Sequence, residues 1–241
     1  MKKRFFTSIL LLCLFASCGE DDTTEEQVIE EEQVTEEENP IENTNPEENE
    51  NEVCKIVNKD GLIIIEAESF DLKGQWKLVE DEKASQGKYI TYDGPNSYQN
   101  QNLDNEITVK FTIDAAASYR VRWYMRQPDE AEGDKSNDVW IYLSDNVGRA
   151  WVNKTSVTLE HYEKFVSRGK GEFTYGGALD LHNPKASSWL TAKFPAAGEY
   201  TLKICARSKD FQLDKLVLSS GISDDEAKNQ SKTRSEAIEC N

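Results

Sequence analysis

Alternation of apolar and polar residues is the feature that most restricts what this chain can fold into. It recurs in six short segments, which read EITVKFTI, YRVRWYM, DVWIYLS, WLTAKF, YTLKICA and FQLDKLVLS. A period of two places successive side chains on opposite faces of a β-strand, as in strands that have one face in a core. Helical periodicity is hard to find before a polar tail that begins at about residue 221. The pattern predicts an all-β fold, an antiparallel β-sandwich.

Residues 1–17 have the pattern of a cleaved export signal. Three cations precede an apolar run from Phe5 to Ala16, which is short for a membrane span and ends in small residues. The letters LFASC resemble the lipobox of bacterial lipoproteins, although Phe15 stands where that pattern prefers Leu. This resemblance implies cleavage before Cys18 and acylation of that cysteine; an ordinary signal peptide followed by a chance cysteine is the alternative. The next letters, GEDD, resemble the export signal of surface lipoproteins in Bacteroidota-type bacteria, which implies an outer-membrane protein that faces the cell exterior.

Residues 18–53 form an acidic linker by composition. After Cys18 this stretch has 16 acidic residues and no Lys, Arg or aromatic residue. Such a segment has too little apolar surface to offset its ordering entropy, so we expect a disordered tether that charge repulsion extends. Removing these 16 acids and the three N-terminal cations from the net charge of −17 leaves −4 for residues 54–241. That charge, without any basic cluster, argues against a nucleic-acid partner.

The remaining part, residues 54–241, resembles a known family in the order of its segments. The segments IIIEAESF, ASQGKYI, FTIDAAASYRVRWYMR, FPAAGEYTLKICARS and FQLDKLVLS follow one another as in carbohydrate-binding modules of families 6 and 35. The resemblance covers nearly all of residues 60–220. It implies a β-sandwich of the jelly-roll type that binds a polysaccharide or oligosaccharide, either attached to an enzyme or as a free surface lectin.

Two glutamates, spaced two residues apart, end the first predicted strand. Residues i and i+2 share a face of a strand, so the carboxylates of Glu66 and Glu68 are expected to point the same way. Like charges this close destabilise each other unless a proton or a cation lies between them. The family resemblance implies that both glutamates and Asp214 hold a structural calcium ion, which prefers six to eight oxygen ligands. The alternative is that both glutamates face water on an edge strand.

Three cysteines follow Cys18, and an exported chain meets conditions in which disulfides persist. Cys54 and Cys240 flank the folded part, and the termini of a sandwich of the resembled kind lie near each other. We therefore predict that these two cysteines pair. Cys205 falls on the face of its strand opposite the apolar residues, so we expect a half-exposed free thiol there.

Sugars are bound by aromatic rings that stack on their apolar faces and by polar side chains that contact their hydroxyl groups. Trp123 lies on the apolar face of its strand, which predicts a core position. Trp140 alternates with its apolar neighbours and is expected on the outer face or under a loop. Trp151 is the best candidate for stacking because GRAWVNKT is loop-like, and Trp189 is second. Residues 144–189 as a whole have the character of an elaborated binding loop.

The resemblance also implies a usual sugar site at the loop end of the sandwich. Mapped onto this chain, that end holds further ligand candidates, namely Tyr92, Tyr98, Asn137, Asp138, Arg207 and Gln212. Arg126, Arg168 and Lys170 are cations that could join Arg207 around an anionic sugar, since the guanidinium fork suits carboxylate and sulfate groups. The sequence leaves an anionic and a neutral polysaccharide both open.

The sequence contains no recognisable catalytic motif. It has no nucleophile elbow, phosphate-binding glycine loop or zinc-type cysteine pair, and His161 and His182 belong to no metal or triad pattern. We therefore expect a surface glycan-binding protein, and not an enzyme, that captures polysaccharide for degrading enzymes and transporters. There are two alternatives. One is a small β-sandwich enzyme, either a hydrolase or a lyase that uses Tyr, His and Arg, and the other is a protein-binding adhesin.

Overall fold

The computed structural model describes residues 54–182 and 185–240. The predicted signal peptide, Cys18 and the acidic tether lie outside these residues. None of the helices in the described part is long and apolar enough to cross a membrane.

The described part consists almost entirely of β-strands joined by short connections. The strands are β1 (Cys54–Ile56), β2 (Leu62–Glu66), β3 (Trp76–Glu80), β4 (Lys88–Tyr92), β5 (Glu106–Ile113), β6 (Ala117–Arg126), β7 (Asp138–Leu143), β8 (Gly148–Val152), β9 (Thr155–Thr158), β10 (Glu163–Val166), β11 (Thr174–Gly176), β12 (Ala178–His182), β13 (Lys185–Ser188), β14 (Thr191–Phe194), β15 (Gly198–Ala206), β16 (Gln212–Ser219) and β17 (Ile238–Cys240). One α-helix, α1, spans Asp224–Ser231, and four single-turn 3-10 helices lie in the connections.

Two large antiparallel sheets enclose the core. The first has the order β3-β4-β16-β6-β14-β8-β9, with β2 paired to β16 and β11 paired to β6. The second has the order β13-β12-β10-β7-β15-β5, and β1 and β17 form a small ribbon of their own. The prediction of an all-β, antiparallel sandwich is confirmed.

The core confirms the alternation that was visible in the sequence. On β6 the residues Tyr119, Val121, Trp123 and Met125 are all buried in it. The Trp123 ring packs between the two sheets, with its centroid 4.4 Å from that of Phe165 and 5.1 Å from that of Phe211. The predicted core position of Trp123 is therefore correct.

Strand β2 is buried on both faces, which explains its unbroken aliphatic run. Ile63 and Ile65 face the main core, while Leu62 and Ile64 belong to a second, smaller cluster with Ala227 of helix α1. The helix begins at an N-cap, because the Ser223 hydroxyl accepts a hydrogen bond from the Glu226 N–H. The outer side of β2 is thus covered by the polar tail, through its few apolar residues.

Residues 144–189 are not the irregular loop that we predicted. They contain β8 to β13 in full, so the segment is mostly paired strand. The prediction was wrong because β9 and β13, read TSVT and KASS, are exposed on most positions and so lack apolar alternation. Strands near a sheet edge are stabilised by backbone hydrogen bonds to the neighbouring strand, and the periodicity of their side chains does not reveal those bonds.

The cysteine pairing is confirmed and the exposure of the third cysteine is corrected. Cys54 and Cys240 form a disulfide, with their Cα atoms 4.0 Å apart, and it joins β1 to β17. Cys205 is free but buried, because the connection before β5 covers it and its Sγ donates to the Asn102 carbonyl oxygen at 2.9 Å. The side chain does lie opposite the apolar face; the sequence pattern gave no sign of the covering loop.

Candidate functional site

An open groove lies over the outer face of the six-stranded sheet. Its cavity volume is about 690 Å³. Three aromatic rings line it, those of Tyr98, Trp140 and Tyr162, together with the guanidinium group of Arg207. The remaining lining residues include His161, Glu163, Lys164, Asp180 and His182. We call this the aromatic groove.

Strand alternation places the floor of the aromatic groove. Val139 and Ile141 of β7 are buried in the core, so Trp140 between them points outward, as the sequence predicted. Its indole Nε1 donates to the Ser97 carbonyl oxygen at 2.9 Å, which ties the connection between β4 and β5 over the sheet. Lys164 of β10 lies directly opposite Trp140 in the antiparallel register.

Arg207 is clamped between two aromatic rings. Its guanidinium carbon lies 4.8 Å from the centroid of Trp140 and 4.9 Å from that of Tyr98. The buried carboxylate of Asp138 accepts hydrogen bonds from Arg207 Nη1 and the Ser208 hydroxyl. Arg207 Nε is buried without a hydrogen-bond partner among the described residues. The stack and the ion pair together hold a flat polar group at the rim of the groove.

Two ionisable groups of the groove have shifted pKa values. Burial raises the pKa of Tyr162 well above its usual range, and the hydrogen bond that its hydroxyl donates to Glu106 adds to the effect. Burial also raises the pKa of Glu163, although His161 and His182 oppose that shift. A phenol kept protonated in this way donates a hydrogen bond and does not act as a base near neutral pH.

A second surface carries two exposed tryptophans from distant parts of the sequence. The Trp151 residue on β8 is 59% exposed, and Trp189, between β13 and β14, is 49% exposed. A cavity of about 360 Å³ between them is floored by Ala178, Ser187 and Ser188. The backbone N–H of Trp151 donates a hydrogen bond to the Ser188 hydroxyl oxygen at 2.6 Å, which links β8 to β13. We call this surface the tryptophan platform.

Two arginine side chains stack on the ring of Trp189 and hold it in place. The guanidinium carbon of Arg122 lies 4.1 Å from the ring centroid, and that of Arg120 lies 4.9 Å from it. The Arg122 side chain is itself buried and forms a two-pronged ion pair with Asp224 of α1, with Nη2–Oδ2 at 2.8 Å and Nε–Oδ1 at 3.0 Å. The ring is therefore held in place although half of it faces solvent.

The predicted ligand residues occupy three separate places. Tyr98 and Arg207 line the aromatic groove, and Trp151 and Trp189 form the tryptophan platform. Trp151 was expected on a loop and lies on a strand, with its ring outside all the same. Arg126 and Gln212 line a third cavity, of about 310 Å³, and hydrogen-bond to each other at 2.7 Å.

Three of the predicted ligand residues are buried. Tyr92 is only 1% exposed and packs on Trp76 in the core, so its ring cannot stack on a sugar, and that prediction was wrong. Asp138 is occupied by Arg207 and acts as its support. Asn137 is 1% exposed, and its Oδ1 has no hydrogen-bond partner in the described chain.

The predicted gathering of cations around an anionic sugar is not found. Arg126 forms an ion pair with Asp81 at 2.7 Å, and Lys170 donates to the Asp129 carbonyl oxygen at 3.1 Å. Arg207 is held by Asp138 in the aromatic groove, and Arg168 lines a different cavity. The four side chains therefore do not line one common cavity.

The acidic residues predicted to hold calcium lie close to a serine and a lysine. The Ser85 hydroxyl donates to Glu66 Oε1 at 2.9 Å, and the Ser85 N–H donates to Asp214 Oδ1 at 2.7 Å. The buried Lys215 ammonium lies 3.9 Å from Glu66 Oε1. Burial, reinforced by the neighbouring acids, raises the pKa of Glu66 to about 7 and that of Asp214 to about 6.

These residues fit a cation in part. Oε2 of Glu66 and Oε2 of Glu68 are buried without hydrogen-bond partners among the described residues, as expected of oxygens that await a ligand. Burial raises the pKa of Glu68 as well. In residues 54–182 and 185–240, however, no three His, Cys, Asp or Glu side chains are arranged as a ready metal site. The two glutamates thus offer orphaned oxygens, whereas a cage of three carboxylates is not assembled.

Sequence reasoning missed part of the aromatic groove. His161 and His182 were set aside because they match no motif, and Tyr162 was not considered, yet pairing of β10 with β12 brings all three to one cavity. The residue pair Tyr162 and Lys164 has the spacing of one strand face, and this was the available signal. The sequence does not predict which strand pairs with β10.

Comparison with known proteins gives only remote similarities. No family model and no curated protein matches the sequence. Among solved structures, a GH26-CBM35 β-(1,4)-mannanase from Podospora anserina matches 68% of this chain and 29% of its own, at 14% identity and a TM-score of 0.45. A family 35 carbohydrate-binding module from Clostridium thermocellum matches 65% of this chain and 98% of its own, at 18% identity and a TM-score of 0.40.

An exo-β-1,3-galactanase from Phanerochaete chrysosporium is similar at the same level, with 15% identity, a TM-score of 0.38 and coverage of 67% of this chain and 30% of its own. This chain therefore spans about a third or less of the length of either enzyme. All three TM-scores are below 0.5, so the fold assignment rests on the sheets and register of the chain itself.

Proposed function

We propose that this protein binds carbohydrate and that the aromatic groove is a sugar-binding site. The observation that carries the proposal is the Tyr98–Arg207–Trp140 stack at the edge of the cavity of about 690 Å³. Sugar rings have an apolar C–H face and a rim of hydroxyl groups. A site with aromatic walls and a few fixed polar groups matches both.

The groups that surround the stack suit the hydroxyl groups of a sugar. Lys164 and Arg207 supply donors, Asp180 supplies acceptors, and the Tyr162 phenol stays protonated. Because Asp138 and the two rings already immobilise Arg207, little side-chain entropy is lost when a ligand binds. The groove therefore has the order and the chemistry of a recognition site.

The same groove contains the Tyr, His and Arg that a β-sandwich lyase would use, but the raised pKa of Tyr162 disfavours catalysis. A lyase needs a base that removes a proton from the sugar ring, and a buried phenol bonded to Glu106 is a poor one. We therefore propose binding without cleavage. Incubation with polysaccharides should give no rise in the absorbance of unsaturated products, and a rise would favour the lyase.

The cellular role that we propose comes from the N-terminal sequence. Acylation of Cys18 would anchor the protein in the outer membrane, and the 16 acidic residues that follow would hold the binding unit away from the lipid surface. From there it would capture polysaccharide for degrading enzymes and transporters at the cell exterior.

A structural calcium ion held by Glu66 and Glu68 is part of the proposal. Their orphaned buried oxygens support it, since calcium prefers carboxylate and carbonyl oxygens. The ion would neutralise the like charges of Glu66, the last residue of β2, and Glu68, in the 3-10 turn that follows it, and a contribution from Asp214 remains a prediction.

Replacing one exposed ring tests the sugar site. Tyr98 is 36% exposed, so Tyr98→Ala should leave the fold intact while removing one wall of the stack. We expect about tenfold weaker affinity for a bound polysaccharide in affinity gel electrophoresis, as a lost stacking contact of ~1.4 kcal/mol implies. Leu103→Ala is the matched control, because Leu103 is exposed in the same connection and does not line the groove. Equal affinity of both variants and the parent would place the site elsewhere.

A further inference from the structure

We propose that the aromatic groove and the tryptophan platform are the two ends of one track, which binds an internal stretch of an uncharged polysaccharide chain. This inference rests on the proposed function and adds to it the class and the length of the ligand. Neither surface alone reveals the connection, because the residues between them are polar and come from three different strands.

The register of the six-stranded sheet joins the two ends. Trp140 of β7 lies opposite Lys164 of β10, and Asp180 of β12 lies opposite Ser187 of β13. Lys164 and Asp180 connect these two pairs into one row, because the Lys164 ammonium and the Asp180 carboxylate form an ion pair of 2.9 Å. Trp140 lines the aromatic groove and Ser187 the floor of the platform, so the row crosses three strand spacings, or about 14 Å.

A further cavity, which we call the middle cavity, adjoins this row at Lys164 and Asp180. Its volume is about 600 Å³, it shares Lys164 and Asp180 with the aromatic groove, and it shares Ala178 and Trp189 with the platform. The three cavities therefore adjoin through common wall residues. A ligand that covers all three is longer than a single sugar ring.

The middle cavity has polar groups without partners. Asn137 lines it, and its buried Oδ1 makes no hydrogen bond within the described residues. A buried polar atom of this kind gains free energy from a ligand that donates to it. Lys164 and Asp180, which are partly exposed, can donate to and accept from hydroxyl groups along the row.

The charges along the track favour an uncharged ligand. The middle cavity is lined by four basic and four acidic side chains, and the aromatic groove by two of each besides its histidines. A chain of uronic acids would meet an acidic group for every basic one, at a cost in desolvation. Hydroxyl groups are satisfied by either sign of charge, so neutral sugars fit this wall.

The length of the track predicts how affinity depends on chain length. One disaccharide can occupy only one end of the track. A chain that reaches both ends binds the second end intramolecularly, at a high effective concentration, and so binds more tightly. Among oligosaccharides of one polymer, affinity should rise by at least tenfold between the disaccharide and the octasaccharide. Two independent sites would give no such rise.

The first experiment is calorimetry of residues 54–241, which have their own core and disulfide, against two groups of polymers. The uncharged group is glucomannan, xyloglucan, arabinoxylan and mixed-linkage glucan; the acidic group is polygalacturonate and alginate. Binding to an uncharged polymer supports the track. Binding only to an acidic polymer overturns the ligand class, and binding to none overturns the proposed function as well.

The second experiment uses the oligosaccharides of the polymer that binds, with Tyr98→Ala, Trp151→Ala and the double variant. We expect each single change to weaken the octasaccharide about tenfold and the two changes to be coupled, while Trp151→Ala leaves the disaccharide affinity unchanged. Additive changes that are equal for long and short chains would overturn the track and leave carbohydrate binding in place.

Two further variants guard against a folding artefact. Ser187→Arg places a bulky side chain at the exposed position where the row reaches the platform and should weaken only the longer chains. Val157→Ala is the matched control, because Val157 is exposed on the same hairpin as Trp151 and lines none of the three cavities. If Ser187→Arg leaves the octasaccharide affinity unchanged, the ligand does not cross this row.

Discussion

At the scale of single residues, the chain repeatedly supports a functional side chain with a buried partner. Asp138 holds Arg207, and Asp224 holds Arg122 beneath the ring of Trp189. Buried ion pairs of this kind contribute little net stability, because desolvation offsets much of the attraction. Their effect is to restrict conformation, and both supported groups lie at a proposed end of the track.

Glu66 ends β2 and Glu68 lies in the single-turn 3-10 helix that follows, so the two do not share one strand face as expected, but they still give a prediction for metal binding. Addition of calcium to metal-free protein should raise the melting temperature by several degrees, because the ion would satisfy the orphaned Oε2 atoms of Glu66 and Glu68. Differential scanning fluorimetry with and without a chelator measures this. Glu68→Gln should abolish the increase, whereas Glu82→Gln, at an exposed site, should keep it. An unchanged melt of the parent protein would reject calcium.

The free cysteine gives a prediction for reactivity. Burial raises the pKa of the Cys205 thiol to about 11, so at pH 8 it stays protonated, and the thiolate that reacts with disulfide reagents is scarce. Raising the pH toward 11 would increase the thiolate, and unfolding would restore an ordinary pKa. We expect no reaction with Ellman's reagent at pH 8 in the native protein and one equivalent in denaturant. Rapid reaction of the native protein would mean that the Asn102 connection does not cover the thiol.

At the scale of elements, the small ribbon of β1 and β17 closes the folded unit. Its side chains are mostly exposed, so it adds little to the core, and the Cys54–Cys240 bridge is its main link. Cys54, the first residue after the predicted tether, is thus linked covalently to Cys240. Force transmitted along the tether would reach the disulfide before the sheets.

Removal of this bridge predicts a loss of stability. The disulfide closes a loop with a sequence separation of 186, for which the chain-entropy model gives a contribution of roughly 4–5 kcal/mol. The double variant Cys54→Ser and Cys240→Ser should lower the free energy of unfolding by up to that amount, as measured by guanidinium titration. The parent protein in reductant is the matched control and should fall to the same value. A loss well below 1 kcal/mol would show that the ribbon does not constrain the unfolded chain.

At the scale of the whole molecule, the sandwich presents two different outer faces. Helix α1 covers part of the nine-stranded sheet through Ala227, whereas the six-stranded sheet carries the row from Trp140 to Ser187, and β8 of the nine-stranded sheet adds Trp151 at its end. A binding face on a rigid sheet holds its side chains more accurately than mobile loops would. This arrangement fits capture of a long, extended chain.

The amino-acid sequence by itself determined the strands with strong alternation, the core position of Trp123 and the outward direction of Trp140. It did so because the period of two is a local property, which β6 and β7 express without reference to their neighbours. The Cys54–Cys240 pair was also predictable, once the family resemblance implied neighbouring termini.

Only the tertiary structure decided which outward residues meet. Tyr98 and Arg207 join Trp140, Trp151 joins Trp189, and Tyr92 is buried in the core, and nothing in the sequence distinguished these outcomes. Cys205 is covered by a connection that its own strand does not contain. Strand order and register bring together residues that are far apart along the chain, and no local pattern encodes that pairing.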